Sequence, residues 1–171
     1  MRISLAWLAA YVPLPPADEL ARRLTDVGLE VEGVERVGAA LDGVVASRIL
    51  SSERHPGAEK LAVCQVEAGA GPVQVVCGAR NYQVGDLVPL ATVGTTLPGG
   101  TRISKASLRG VESFGMLCSA RELGLSEDAS GLLILPPGLA PGTPIAAALR
   151  LEDVLFEVNV TPNRPDALSH L

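Results

Sequence analysis

HPGAEKLAVCQVEAG, residues 55–69, joins two kinds of sequence. Its first half holds a histidine, a proline, a glycine and a lysine, the vocabulary of a turn that carries functional groups. Its second half is Val-rich and half-polar, the texture of a strand with one face buried. Pro56 and Gly57 set turn geometry. Leu61, Val63 and Cys64 are therefore expected to build the wall of a sheet, with Lys60 left facing outward. Such a turn can belong to an active site, a binding surface or plain barrel architecture, and its surroundings decide which.

Outward from it the strand texture repeats. VVASRIL (44–50), VQVVCGA (73–79), DLVPLAT (86–92) and GLLILP (131–136) are short, rich in Val and Leu, and separated by clusters such as GAGP and LPGG. Several short strands at this spacing predict a small β-barrel or sandwich. SARELG, residues 119–124, is the helical candidate inside it. Five strands with one helix between them suit an oligonucleotide-binding barrel.

The flanks read differently. Ser4 is placed to cap a short helix with Leu5, Leu8 and Val12 on one face, which the prolines at 13, 15 and 16 end. Asp18 opens a second helix with Leu20, Leu24 and Val27 at helical spacing and Gly28 as its stop. Residues 29–37 alternate as a strand. At the other end Leu155, Glu157 and Asn159 alternate with Phe156, Val158 and Val160, and Asp166 is placed to cap a helix that the sequence ends inside. That ending predicts a longer polypeptide. Neither flank has the apolar surface to fold alone, so strand 29–37 is expected to pair with the tail strand. The expectation is a mainly β, α+β chain: a split small α/β domain formed by 1–39 and 151–171, with the five-stranded barrel of 40–150 inserted in it.

At 171 residues with 47% hydrophobic and 19% charged residues, the composition is that of a globular chain. No apolar run reaches the roughly 20 residues that span a bilayer, and no Ala-x-Ala cleavage pattern follows the N-terminal apolar stretch. Three cysteines cannot all pair within the chain, so reduced thiols and a cytoplasmic setting are expected. His55 and the cysteines lack metal-ligand spacing. Cys118 has no positioned base, and no phosphate-loop motif occurs. No metal, cofactor or catalytic residue is expected.

A net charge of −5 argues against a simple nucleic-acid binder. Residues 40–149, however, are close to neutral, with eight basic and nine acidic side chains. Arg102, Lys105 and Arg109 cluster in TRISKASLRG, where alternation can place two of them on one face, and such a cluster can contact phosphates. Twelve of the fourteen basic residues are arginine. Arginine grips phosphate bidentately, although a bias toward Arg and Ala explains that count better.

HPGAEKL, VCGARN (76–81) and LRGVESFGMLCSARELGL (108–125) together resemble the endothelial-monocyte-activating-polypeptide-like tRNA-binding domain. Its signatures are H-P-x-A-D-K-L, V-C-G-A-x-N and R-G-x-x-S-x-G-M-x-C-S, and the departure is Glu59 where Asp is usual. The flanks, above all FEVNVTPNRPDALSHL, resemble the start of the β-subunits of bacterial phenylalanyl-tRNA synthetases, and this resemblance covers the whole chain. It implies an oligonucleotide-binding fold and an auxiliary, non-catalytic tRNA-binding role. It also implies a heterotetramer of two α- and two β-subunits that uses ATP and magnesium, with chemistry located elsewhere. Lys60, Arg80, Asn81, Arg102, Lys105, Arg109 and Ser119 are the candidate RNA contacts, with Asn81 equally a turn holder and Ser119 equally a helix cap. The alternatives are a scaffold or protein-contact module of the synthetase and a free-standing tRNA-binding protein. DNA and membrane partners are not expected.

Overall fold

In a computed structural model of the chain, the described residues are 1–38, 41–162, 164 and 166. They fall into two compact units, Met1–Ala39 with Glu152–Leu171, and Ala40–Leu151.

The first unit is a three-stranded antiparallel sheet with two helices. Strand β1 (Arg2–Ser4) leads directly into α1 (Leu5–Leu8), and α2 (Ala17–Asp26) precedes β2 (Glu30–Val37). The tail strand β10 (Asp153–Asn159) lies between β1 and β2 and pairs with both. Phe156 and Val158 of β10 meet Leu5 and Leu20 of the helices in a small core. β1 is absent from the sequence reading because MRISLAWLAA runs on as one apolar stretch. Pro16, not Asp18, occupies the N-cap of α2; Asp18 and Glu19 sit in its first turn, where acidic groups favour the helix dipole. The helix expected after Asp166 lies outside the described residues.

The start of α1 is held from both sides. Ser4 Oγ accepts from Trp7 N at 3.0 Å. Ser4 also donates to Asp153 Oδ2, while Asp153 Oδ1 accepts from the Ala6 and Val154 amides at 2.8 and 2.7 Å. Partial burial pushes the Asp153 carboxyl up, but the bonds from Ser4, Ala6, Val154 and Leu5 outweigh it and hold the group below its ordinary value.

The second unit is a nearly closed, five-stranded antiparallel barrel of the oligonucleotide-binding type. Its strands are β3 (Val44–Arg54), β4 (Ala62–Glu67), β5 (Pro72–Cys77), β6 (Leu87–Thr92) and β9 (Gly115–Leu117), in the order β5–β4–β3–β6–β9. Between β6 and β9 a hairpin of β7 (Ala106–Leu108) and β8 (Val111–Ser113) projects outside the sheet. Its tip, Arg109-Gly110, has φ of 47° and 88°, the left-handed pair that a two-residue hairpin requires. Ile49, Cys64, Val66, Val75, Val88 and Leu90 form one half of the barrel interior. Val44, Ala46, Ile103, Cys118, Leu123 and Ile145 belong to the other half.

Three segments depart from the sequence reading. SARELG is a single turn instead of a helix. Ser119 and Glu122 form a reciprocal capping box, with Glu122 Oε2 accepting from Ser119 N at 2.6 Å and Ser119 Oγ accepting from Glu122 N at 3.3 Å, but Gly124 ends it at once. GLLILP is extended without joining a ladder. The Leu133 amide bonds Cys118 O at 3.1 Å and the Leu135 amide bonds Leu87 O at 2.8 Å. A short helix, α3 (Ile145–Ala148), follows instead of preceding the last barrel segment and buries Ile145.

Replacing Asp153 with Ala removes both α1 contacts and is expected to cost about 1–2 kcal/mol at neutral pH, the range for a lost helix cap. Because folding depresses this carboxyl, its contribution is fully present above the ordinary aspartate value of 3.8 and disappears as pH falls through the lower folded value. Urea unfolding followed by Trp7 fluorescence at pH 7 and in strong acid is the check: the gap between wild type and variant should close in acid.

Candidate nucleic-acid interface

The HPG turn is locked to the β7–β8 hairpin. His55 is buried, and its Nε2 lies 2.9 Å from Leu108 O. Its Nδ1 accepts from Gly57 N at 3.0 Å, so Nε2 carries the proton and donates to the carbonyl. Arg109 returns the contact, donating from Nη1 to Gly57 O at 2.9 Å. The His55 amide also bonds Leu61 O at 3.1 Å, which closes the loop on itself. The histidine is thus a clip between two loops and not a base or a ligand.

This clip shapes the surface around Lys60. One cavity of about 840 Å³ runs along the turn and is lined by Arg54, Lys60 and Arg109 among others. An adjoining cavity of about 250 Å³ shares Arg54, Glu59, Lys60 and Leu61 with it and adds Arg80 and Tyr82. Arg80 donates from Nη2 to Glu59 O at 2.9 Å, which ties the VCGARN segment to the same loop. Lys60, Arg80 and Arg109 therefore stand along one continuous groove, with Arg54 as a fourth cation that the sequence reading missed. The signal for Arg54 was its place immediately before His55.

The other candidates lie apart from this groove. Lys105 Nζ pairs with Glu112 Oε1 at 2.7 Å and sits 4.8 Å above the centre of the Phe114 ring. Arg102 forms an isolated backbone bridge with Thr96 across a turn of the same β6–β7 connection. Asn81 clamps the backbone of Leu132, donating from Nδ2 to its carbonyl and accepting its amide at Oδ1, both at 2.9 Å. Gly131 makes room for that clamp, since a Cβ there would stand 2.3 Å from the Asn81 carboxamide. Ser119 is buried within its capping box.

Tyr82 forms part of the groove wall. Its hydroxyl lies 3.0 Å from Ser52 Oγ and 3.1 Å from Cys64 Sγ. Burial and the bond with Cys64 push its phenol up, so the ring stays neutral and pinned. The same burial lifts the Cys77 thiol to about 11 and the Cys118 thiol to about 12. Cys64, Cys77 and Cys118 are free and buried. Among the described residues, no three or more His, Cys, Asp and Glu side chains gather in a way that could hold a metal ion. No helix among them is long and apolar enough to cross a membrane.

The family described as "Putative tRNA binding domain" matches residues 44–144. Among curated proteins, the phenylalanine–tRNA ligase beta subunit of Anaeromyxobacter dehalogenans is 76% identical over 100% of this chain and 22% of its own length. Those of Syntrophotalea carbinolica and Bordetella pertussis are 52% and 55% identical, again over 100% of this chain, covering 21% and 22% of theirs. The chain therefore spans little more than a fifth of the length of the relatives it matches.

With raised values and buried side chains, Cys77 and Cys118 should resist an aromatic disulfide reagent at pH 8. Native thiols are expected to label roughly a hundredfold more slowly than those of the urea-unfolded chain. Stopped-flow absorbance gives both rates.

Proposed function

Because the chain belongs to the "Putative tRNA binding domain" family, we propose that its barrel binds tRNA as a non-catalytic part of a phenylalanine–tRNA ligase β-subunit. In this reading the whole enzyme joins phenylalanine to its tRNA with ATP and magnesium, in the cytoplasm, as a tetramer of two α- and two β-subunits. Residues 40–150 are the RNA-binding insertion, and 1–39 with 151–171 are the split domain that carries it. The likeness of the whole of this chain to about a fifth of each of three β-subunits supports the assignment.

The observation that carries the RNA reading is the groove along the HPG turn. Lys60, Arg80, Arg109 and Arg54 converge on it although the chain as a whole is acidic. Phosphate contacts require only local cations. Arg80 and Arg109 each spend a bond on a loop carbonyl; a guanidinium has five donors, so most of the fork stays available. Lys105 and Arg102 act in this reading as secondary contacts, while Asn81 and Ser119 serve the architecture. A scaffold role is favoured by one observation, the pairing of Lys105 with Glu112, which neutralises part of the hairpin.

Binding of the chain to tRNA across a salt series tests the proposal. Affinity should fall steeply with salt, and Lys60→Glu with Arg80→Glu should weaken it at least tenfold at low salt. Each lost phosphate contact should flatten the log–log slope by about 0.7–0.9. Lys105→Glu, measured beside it, should have the smaller effect, because that lysine is paired with Glu112 outside the groove. Absence of binding at low salt would leave the scaffold role.

A further inference from the structure

We propose that the smaller cavity beside Lys60 is a subsite for one unstacked RNA base, which lies against the Tyr82 ring while its flanking phosphates sit on Arg54, Lys60 and Arg80. The inference rests on the tRNA-binding reading and sharpens it from a charged groove to a base-holding one.

Size points this way first. At about 250 Å³ the cavity is below the roughly 300–1,000 Å³ typical of sites that enclose a whole drug- or cofactor-sized molecule. A single ring system suits it better than a complete nucleotide. Chemistry points the same way. Leu61, Ala79 and Tyr82 are among the residues that line the cavity, and Glu53 and Glu59 line it as well. Two carboxylates make a poor seat for phosphate. A neutral base carries no such penalty, and its exocyclic amines can donate to carboxylates. The exposed cations are left for the phosphates on either side.

Tyr82 is prepared for the role. Its hydroxyl is tied to Ser52 and Cys64, so the ring is held before any ligand arrives. It packs against the barrel interior and also lines the cavity. A ring fixed in advance loses little freedom on binding, and stacking on an aromatic ring accepts every base. The hydroxyl is occupied within the protein, so the ring face and not the hydroxyl is the ligand contact. Phenylalanine should therefore substitute for tyrosine here.

The test uses the 171-residue chain with tRNA and with a single-stranded RNA of about ten nucleotides, a length one such barrel can cover. Tyr82→Phe is expected to bind both within about twofold of wild type. Tyr82→Leu should lose about 5- to 150-fold, the range for one stacked base, with an unchanged salt slope because no phosphate contact is lost. An independent measurement needs no variant: the same RNA made without bases should bind the wild-type chain more weakly by a similar factor. Equal binding of the intact and base-free RNAs, or of Tyr82→Leu and wild type, overturns the subsite while leaving the groove intact. A chain that binds neither RNA at low salt overturns the tRNA-binding reading itself, and the subsite with it.

Discussion

A five-stranded sheet that curls on itself must satisfy the outer edge of its last strand, and here that edge belongs to β5. Its partner is not a regular ladder. The Phe114 amide donates to Gln74 O at 2.9 Å, the Gln74 side chain donates to Glu112 O at 2.8 Å, and the buried Ser113 hydroxyl accepts the Val76 amide at 3.0 Å. An open edge would be a template for pairing with other chains, and these three contacts cover it using one short stretch, Glu112–Phe114. The same stretch continues the β7–β8 hairpin, so closing the barrel also fixes where Leu108 and Arg109 stand. His55 and Gly57 then dock on those two residues. The groove's cations thus inherit their positions from barrel closure.

The strands of the barrel were legible because their apolar residues are short, Val-rich runs between glycine and proline clusters, and burial on one face is what that texture encodes. The turn at Pro56-Gly57 and the cap at Ser4 were legible for local reasons as well. GLLILP was misread because its composition is that of a strand, yet Asn81 takes up both backbone groups of Leu132 and replaces a neighbouring strand with a side chain. That substitution depends on residues 51 positions apart and leaves no local trace. SARELG held a true capping signal but too few residues before Gly124 for a helix to propagate, since the first turn is the costly one.

The site was legible only in part, and the reason lies in what each residue type can do. Lys60, Arg80 and Arg109 belong to three separated motifs, and only folding shows that they share a groove. Asn81 and Ser119 look like polar contacts in sequence because Asn and Ser serve recognition and architecture equally well. Here the architecture uses them, one as a backbone clamp and one in a capping box. Tyr82 carried no sequence signal beyond being one of few aromatics, because its role follows from a hydroxyl bound inside and a ring face left outside.

Internal bonds on Arg80 and Arg109 are easily read as evidence against ligand binding, since a paired cation is a weaker electrostatic lure. The partners here are carbonyls and not carboxylates, and the difference is decisive. A carbonyl cancels no charge, so neither guanidinium is neutralised by its internal partner, while both lose much of their rotational freedom. Long cationic side chains ordinarily lose that freedom when they bind; these two have already lost it in folding. Lys105 is the contrast, because its partner is the Glu112 carboxylate and its field is largely spent. The groove along the HPG turn therefore carries more usable charge than the hairpin strand, and a count of basic residues ranks the two the same way: Arg54, Lys60, Arg80 and Arg109 against Arg102 and Lys105.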